Sequence, residues 1–307
     1  KAVFLDEVHK YRNWQVSVKN IYDSYPDLKI VYTGSSILKL KAADSDLSRR
    51  LRSYNLYGLS FREFLEYKGV LKHRVLALDE ILSNHITICS EITGGIKVLP
   101  EFEEYCRRGY FPYFKEAGDG FYEKLKEAVL QTIDTDVPAV EEIEYATSQK
   151  LKKLLMILAA QVPFIPKMSE LYRQIETNRE QGLKLFSLLE DAQLVGTISR
   201  KPKTLKHLSS PDKLFLDNPN MLYALSSQVG TGTVRETFFR RQLACAAELS
   251  LPENGDFKVN DKYLFEVGGP RKSFEQIKDI PDSFIAADGI ETGHGNKLPL
   301  CIFGCRY

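Results

Sequence analysis

Two adjacent carboxylates close the first apolar run of the chain, where Ala2-Val3-Phe4-Leu5 leads straight into Asp6 and Glu7. Nucleotide hydrolysis asks for such a pair at the end of a core strand. One carboxylate holds the water shell of Mg²⁺, and the other group orients or deprotonates the attacking water. On this reading Asp6 is the metal and cofactor residue and Glu7 the catalytic one. An apolar run ending in Asp-Glu is common in itself, so its neighbours decide. The next apolar run, Leu28–Tyr32, ends in Thr33-Gly34-Ser35-Ser36. A polar residue at the tip of a neighbouring strand can sense a terminal phosphate, which makes Ser35 and Ser36 candidate nucleotide contacts. A turn with a serine helix cap is the plainer alternative. Arg49 and Arg50 follow. A planar guanidinium stabilises charge on a transferring phosphoryl group, and Arg50 is the candidate for that role; a solvated arginine pair is the alternative.

Basic side chains form a second constellation. Between Gln149 and Ser210 there are eleven basic residues against five acidic, whereas Glu101–Glu144 carries twelve acidic against five basic. Duplex binding needs a helix that enters a groove and cations that meet phosphates. Arg179 and Lys184 on a helix near 178–192, with Arg200, Lys201, Lys203 and Lys206 in the loop beyond it, would supply both. The competing reading pairs this basic stretch with the acidic one inside the molecule. The Gly-rich run Val229–Thr233 lacks the lysine and hydroxyl spacing of a phosphate-binding loop and reads as a turn opening a helix. The five cysteines form no CxxC pair, and their odd count suits buried thiols in a reducing cytosol better than a disulfide framework.

The elements that must position these residues follow from periodicity. Strand, helix (Asn13–Tyr25, with Trp14, Val18, Ile21 and Tyr22 on one face) and strand make a βαβ unit with parallel strands, the first of them fully buried. A short alternating strand at Tyr54 and Leu56 precedes a helix opened by a capping box, Ser60 with Glu63. Helices over 150–162, from Ser169 (read as its cap) and over 178–192, then a strand and a basic hairpin, describe a winged helix-turn-helix. A last unit from Leu214 is expected to hold a strand, a helix over 234–247, strands at 257–259, 263–267, 283–287 and 298–303, and a short helix at Phe274–Lys278. The charge swing sets domain boundaries at 1–146, 147–212 and 213–307. Apolar residues make up 43% of the 307 and charged residues 27%, with a net charge of +1, so no global field favours membrane or nucleic acid. No run approaches the roughly 18 apolar residues of a membrane span.

The strings FLDEVHKYRNWQVSVKNIYD, LKIVYTGSS and LSRRLRSYNLYGLSFREFL resemble prokaryotic AAA-like P-loop ATPases of the archaeal, STAND-related group, many with a C-terminal domain of unknown function. The tail LFEVGGPRKSFEQIKDIPDSFIAADGIETGHGNKLPLCIFG is similar to the family's end. The resemblance implies that Asp6-Glu7 is the Walker B pair, that Gly34-Ser35-Ser36 is the neighbouring strand end, and that Arg50 is the arginine ahead of the LSFREF run. It implies ATP and Mg²⁺ as cofactors, self-association through the ATPase unit, and a cytoplasmic protein. The family's GxxxxGK[ST] loop is not among these residues. It is expected upstream of Lys1, and without it the chain is expected to be inactive. The last unit resembles the restriction-endonuclease-like fold, whose helix Glu, Asp and E-x-K would map to Glu236, Asp256 and Glu266. Gly268 stands in the lysine's place, and Lys272 would have to reach back across Gly269 and Pro270, so no DNA cleavage is expected. The expected architecture is therefore α/β: a partial P-loop parallel sheet with a helical lid, a winged helix, and a restriction-endonuclease-like domain. A non-catalytic DNA-binding or scaffold protein acting through the winged helix is the alternative.

Overall fold

A computed structural model describes the chain except residues 12, 35–51, 53, 139–142, 162, 164–166 and 201–211. Ser35, Ser36, Arg49, Arg50, Lys201, Lys203 and Lys206 therefore lie outside the described residues.

The amino-terminal unit is a βαβ. Strand β1 (Ala2–Leu5) pairs in parallel with β2 (Lys29–Tyr32), Leu5 opposite Tyr32, and helix α1 (Trp14–Ser24) crosses between them. Trp14 and Val18 pack with Val8, Leu5, Ile30 and Tyr32 in a small core of their own. The expected fully buried strand is a half-buried one. Its alternate residues Ala2 and Phe4 face outward, Phe4 is 76% exposed, and Val31 on β2 is 46% exposed. α1 covers one face of the pair, and the period of two turns the other residues away from it.

Residues 54–60 form no strand, and Leu56 is 98% exposed, so the alternation at Tyr54 and Leu56 does not pair. Helix α2 (Phe61–Lys68) starts where the sequence placed it. The Ser60 side chain accepts from the Glu63 N–H, and Glu63 accepts from the Ser60 N–H at 2.9 Å. Helices α3 (Leu78–Thr93), α4 (Val98–Glu104) and α5 (Phe121–Gln131) follow. A π-helical turn, Tyr105–Gly109, continues α4. Buried Asn220 serves the backbone there, donating to the carbonyls of Tyr105 and Cys106 and accepting from the Tyr110 N–H.

Helices α6 (Tyr145–Gln161), α7 (Met168–Gln174) and α8 (Arg179–Asp191) lead to an antiparallel pair, β3 (Val195–Ile198) and β4 (Lys213–Leu216). Lys167, not Ser169, sits at the cap position of α7. Strand β4 does not open the last unit's sheet but pairs with β3, so the boundary expected at 212 falls inside a hairpin. Lys152 of the basic stretch pairs with Asp134 of the acidic one at 2.6 Å.

Helices α9 (Pro219–Leu225) and α10 (Thr231–Ala244) precede a five-stranded sheet in the order β5 (Leu249–Ser250), β6 (Phe257–Val259), β7 (Tyr263–Gly268), β8 (Ser283–Ala287), β9 (Lys297–Pro299). β5–β6–β7 are antiparallel and β7–β8–β9 parallel. The helix expected at Phe274–Lys278 is a run of turns, and the last strand gives way to a 3₁₀ turn at Leu300–Cys305. A continuous apolar core runs from Phe61 to Cys305 across both expected boundaries, with Phe238 and Phe239 of α10 at its centre.

Two charged contacts bind the β3–β4 hairpin to α10. Asp217 accepts from Arg241 at 2.9 Å, and Arg240 donates to the Asp217 carbonyl at 3.3 Å. Arg240 lies flat on Gly196, where an added Cβ would stand 1.7 Å from its Cζ. Gly196→Ala should therefore cost about 1–3 kcal/mol by overpacking. Gly232→Ala, which meets nothing within 4 Å in the first turn of α10, should be neutral or slightly stabilising. Urea midpoints of the two variants check this, and equal midpoints would overturn it.

Candidate functional site

The first candidate lies at the carboxyl edge of β1 and β2. The parallel register carries Asp6 beside Thr33, and the ladder closes with Thr33 N–H to the Leu5 carbonyl at 2.8 Å and Val8 N–H to the Thr33 carbonyl at 3.0 Å. The Thr33 hydroxyl donates to Asp6 Oδ1, and the Glu7 N–H also points at that oxygen, 3.1 Å away. Glu7 has φ 50° and ψ 41°, left-handed backbone that a non-glycine residue adopts at some cost. That kink ends the strand's alternation. Asp6 is exposed and Glu7 half-buried, and the Glu7 carboxylate pairs with Lys10. Its hydrogen bond raises the Lys10 ammonium above its ordinary range, with the Coulombic attraction of the same carboxylate adding to the effect. Thr33 is the residue that sequence reasoning passed over here, in favour of the serines after it. The parallel register was the signal that could have found it.

The second candidate is a knot of charge where α10, β4, β6 and β7 meet. Glu266 on β7 is 2% exposed. Glu236 on α10 and Asp256 just ahead of β6 lie near it, with the Asp256 charge acting on both glutamates and that of Glu266 on Glu236. Lys213, the first residue of β4, sets its Nζ 2.5 Å from Glu236 Oε2 and 3.8 Å from Asp256 Oδ1. Asp256 Oδ2 accepts the Val267 N–H at 2.8 Å. Lys272 pairs with Glu266, and the Gln276 amide, with its nitrogen turned inward, donates to both Glu266 oxygens at 2.6 and 3.2 Å.

Lys272 does reach back, contrary to expectation. Its own N–H closes a turn onto the Gly269 carbonyl at 3.0 Å, and Lys297 pins that turn through the Pro270 and Lys272 carbonyls. The Lys272 stem then runs over Gly268, where a Cβ would lie 2.8 Å from its Cγ. The missing side chain at 268 is what lets a lysine from the next turn occupy the same space.

Burial raises the carboxyls of Glu236 and Glu266 above the usual range, neighbouring carboxylates add to it, and Lys213 and Lys272 oppose it. Burial lowers the Lys272 ammonium, but its hydrogen bond to Glu266 and the Coulombic attraction of Glu266, Asp256 and Glu236 together hold it above its ordinary value. Among the described residues no group of three or more His, Cys, Asp or Glu side chains is arranged to hold a metal ion. The thiols are inert by environment: burial lifts Cys89 to about 11 and Cys305 to about 12.

Of the basic constellation, Arg179, Lys184 and Arg200 are among the described residues; all three are exposed, and the Arg200 N–H donates to Asp212 at 2.7 Å. Among the described residues no helix is long and apolar enough to cross a membrane.

Comparison with known proteins agrees with the first candidate at a coarse level. Residues 1–65 match the profile of an AAA domain, and residues 99–231 match a domain of unknown function, DUF8612. The chain is similar to two uncharacterized proteins of Methanocaldococcus jannaschii. It is 28% identical to MJ1637 over 96% of this chain and 67% of that protein. It is 25% identical to MJ1544 over 77% of this chain and 51% of that protein. No solved structure matches. The amino-terminal unit is thus AAA-like, and the DNA-binding alternative gains no support from these relatives.

The close approach at Gly268 yields a test. Gly268→Ala pushes the Lys272 stem off Glu266 and leaves a nearly buried carboxylate short of its cation, which should cost about 1–3 kcal/mol. Gly268→Ala and Lys272→Met should then be strongly non-additive in a double-mutant cycle, because both remove one contact. Full additivity in thermal or urea unfolding would sink the assignment.

Proposed function

We propose that the chain carries the Walker B half of an AAA-type ATPase, followed by an α/β unit whose charged cluster is closed rather than catalytic. The observation that carries the first part is the Asp6-Glu7 pair at the carboxyl edge of parallel strands, tied to Thr33 on the neighbouring strand. Ligands of open parallel sheets collect at that edge. The AAA-like match over residues 1–65 supports the same reading.

ATP with Mg²⁺ is the group that such a unit implies, and the residues present suit it. Carboxylate and hydroxyl oxygens are the donors a hard cation takes, and Asp6 is exposed at the strand end. When bound, Mg²⁺ would neutralise charge on the phosphates. Asp6 would hold the metal's water shell, and the Thr33 hydroxyl fixes its rotamer. Glu7, turned out of the strand by its left-handed backbone, would polarise the hydrolytic water once Lys10 releases it. Ser35 and Ser36 would report the terminal phosphate, and Arg50 would act on the phosphoryl group from a neighbouring subunit. The phosphate-cradling GxxxxGK[ST] pattern does not occur in these 307 residues. Titrating the 307-residue chain with ATP should accordingly show no saturable micromolar binding. In an ATPase assay of the complete gene product, Glu7→Gln should lower turnover by about 10²–10⁴. Turnover at the wild-type rate would refute the role given to Glu7.

The domain reading is carried forward with one change. Of the units expected at 1–146, 147–212 and 213–307, α6–α8 and the β3–β4 hairpin are kept as a winged helix, while one apolar core from Phe61 onward runs through both boundaries. The restriction-endonuclease-like reading of the last unit is supported by the order helix, three antiparallel strands, then a parallel strand, with Glu236, Asp256 and Glu266 converging. That fold implies a divalent cation, and the residues as arranged do not suit one. Lys213 claims Glu236, Lys272 and Gln276 claim Glu266, and a backbone N–H claims Asp256. The expectation of no cleavage is kept, but its reason changes: the lysine is present and engaged, not missing. Supercoiled plasmid incubated with the chain and Mg²⁺ or Mn²⁺ should show equal, background nicking for wild type and Glu266→Ala. Nicking that vanishes in the variant would show a live site.

A further inference from the structure

The carboxylates of the last unit are closed by a residue that does not belong to its sheet. Lys213 comes from the β3–β4 hairpin, and its ammonium lies over the rings of Phe215 and Phe257, with Nζ 5.5 and 5.7 Å from their centroids. Its side chain is 14% exposed, so its ammonium meets carboxylate rather than water. The hairpin cannot drift, because Phe215 and Leu216 are fully buried and Asp217 is held by Arg241. The groups facing Lys213 are Glu236 from α10 and Asp256 from the β5–β6 connection, with Glu266 and its partner Lys272 behind them.

We propose that Lys213 is a built-in counter-ion that occupies, between Glu236 and Asp256, the position a divalent cation would take. The proposal rests on the closed-cluster reading above and names what closes it. Three carboxylates and two ammonium groups leave the cluster with one uncompensated negative charge while Lys213 is in place. Removing Lys213 doubles that charge and frees oxygens on two elements. A hard cation would then find oxygen donors and an attractive field at once. Lys272 is paired directly with Glu266, so the direct ammonium contacts of Glu236 and Asp256 come from Lys213. The β3–β4 hairpin, whose sheet is separate from the five-stranded one, thus sets the ionic state of the last unit's cluster.

The test is titration of the full chain with Mn²⁺ alone, followed by electron paramagnetic resonance and calorimetry. Lys213→Met, with its flexible apolar stem along the same two rings, should bind one Mn²⁺ at least about tenfold more tightly than wild type. Lys213→Arg, which keeps the charge, should not gain. Glu236→Gln added to Lys213→Met should remove the gain. Lys213→Gln, able to hydrogen-bond Glu236, serves if the methionine variant melts early, and should gain in the same direction. Equal Mn²⁺ affinity in wild type and a folded Lys213→Met or Lys213→Gln would overturn the counter-ion assignment. Glu266-dependent nicking by the wild-type chain would instead overturn the closed-cluster reading, so the two failures are told apart.

Discussion

The interaction on which the larger part of this molecule depends is the pairing of Asp217 with two buried guanidinium groups of α10. Arg240 and Arg241 are adjacent on that helix and 9% and 4% exposed. A buried cation left unpaired is far more costly than any surface charge, so the helix and the end of β4 hold a single relative position. Arg241 also lies against the rings of Tyr57 and Tyr110, 4.5 and 5.4 Å from their centroids. The segment entering α2, the π-helical turn and the hairpin are thereby drawn to one helix.

That helix has three uses. Phe238 and Phe239 fill the core between the helical layer and the five-stranded sheet. Arg240 and Arg241 fix the hairpin. Glu236, one turn earlier, enters the charged cluster and meets Lys213 from the same hairpin. The apolar contacts supply most of the stability and little direction, whereas the ionic contacts supply direction. The amino-terminal βαβ stands apart in this respect, with its own small core and an outward face carrying Phe4 and Val31. Parallel strands are normally covered on both faces, and among the described residues α1 covers one face of this pair.

The two charged sites differ in what their neighbours allow. Asp6 is exposed, and its partners are a hydroxyl and a backbone N–H, neither of which cancels its charge. Glu266 is buried beneath an ammonium that offsets its charge and an amide that donates to it. Carboxylates are thus poised in one place and neutralised in the other, and the difference comes from the donors around them rather than from the acidic residues themselves.

Local patterns in the sequence were enough for the βαβ unit, the Ser60–Glu63 capping box, the helices near 150–161 and 179–191, and the carboxylates at the strand end. Each depends on periodicity or on partners within a few residues, which a linear reading contains. The alternation at Tyr54 and Leu56 failed because a strand exists only with a partner, and none pairs there. Strand β4 was assigned to the wrong neighbour for a related reason: its apolar run says that it is buried but not against what. Lys213 and Lys272 could not be judged from spacing. One reaches its carboxylate across a hairpin, and the other does so only because Gly268 leaves room and Lys297 folds the turn back. Which cation meets which carboxylate is a matter of packing between elements far apart in sequence, and that was decided by the tertiary structure alone.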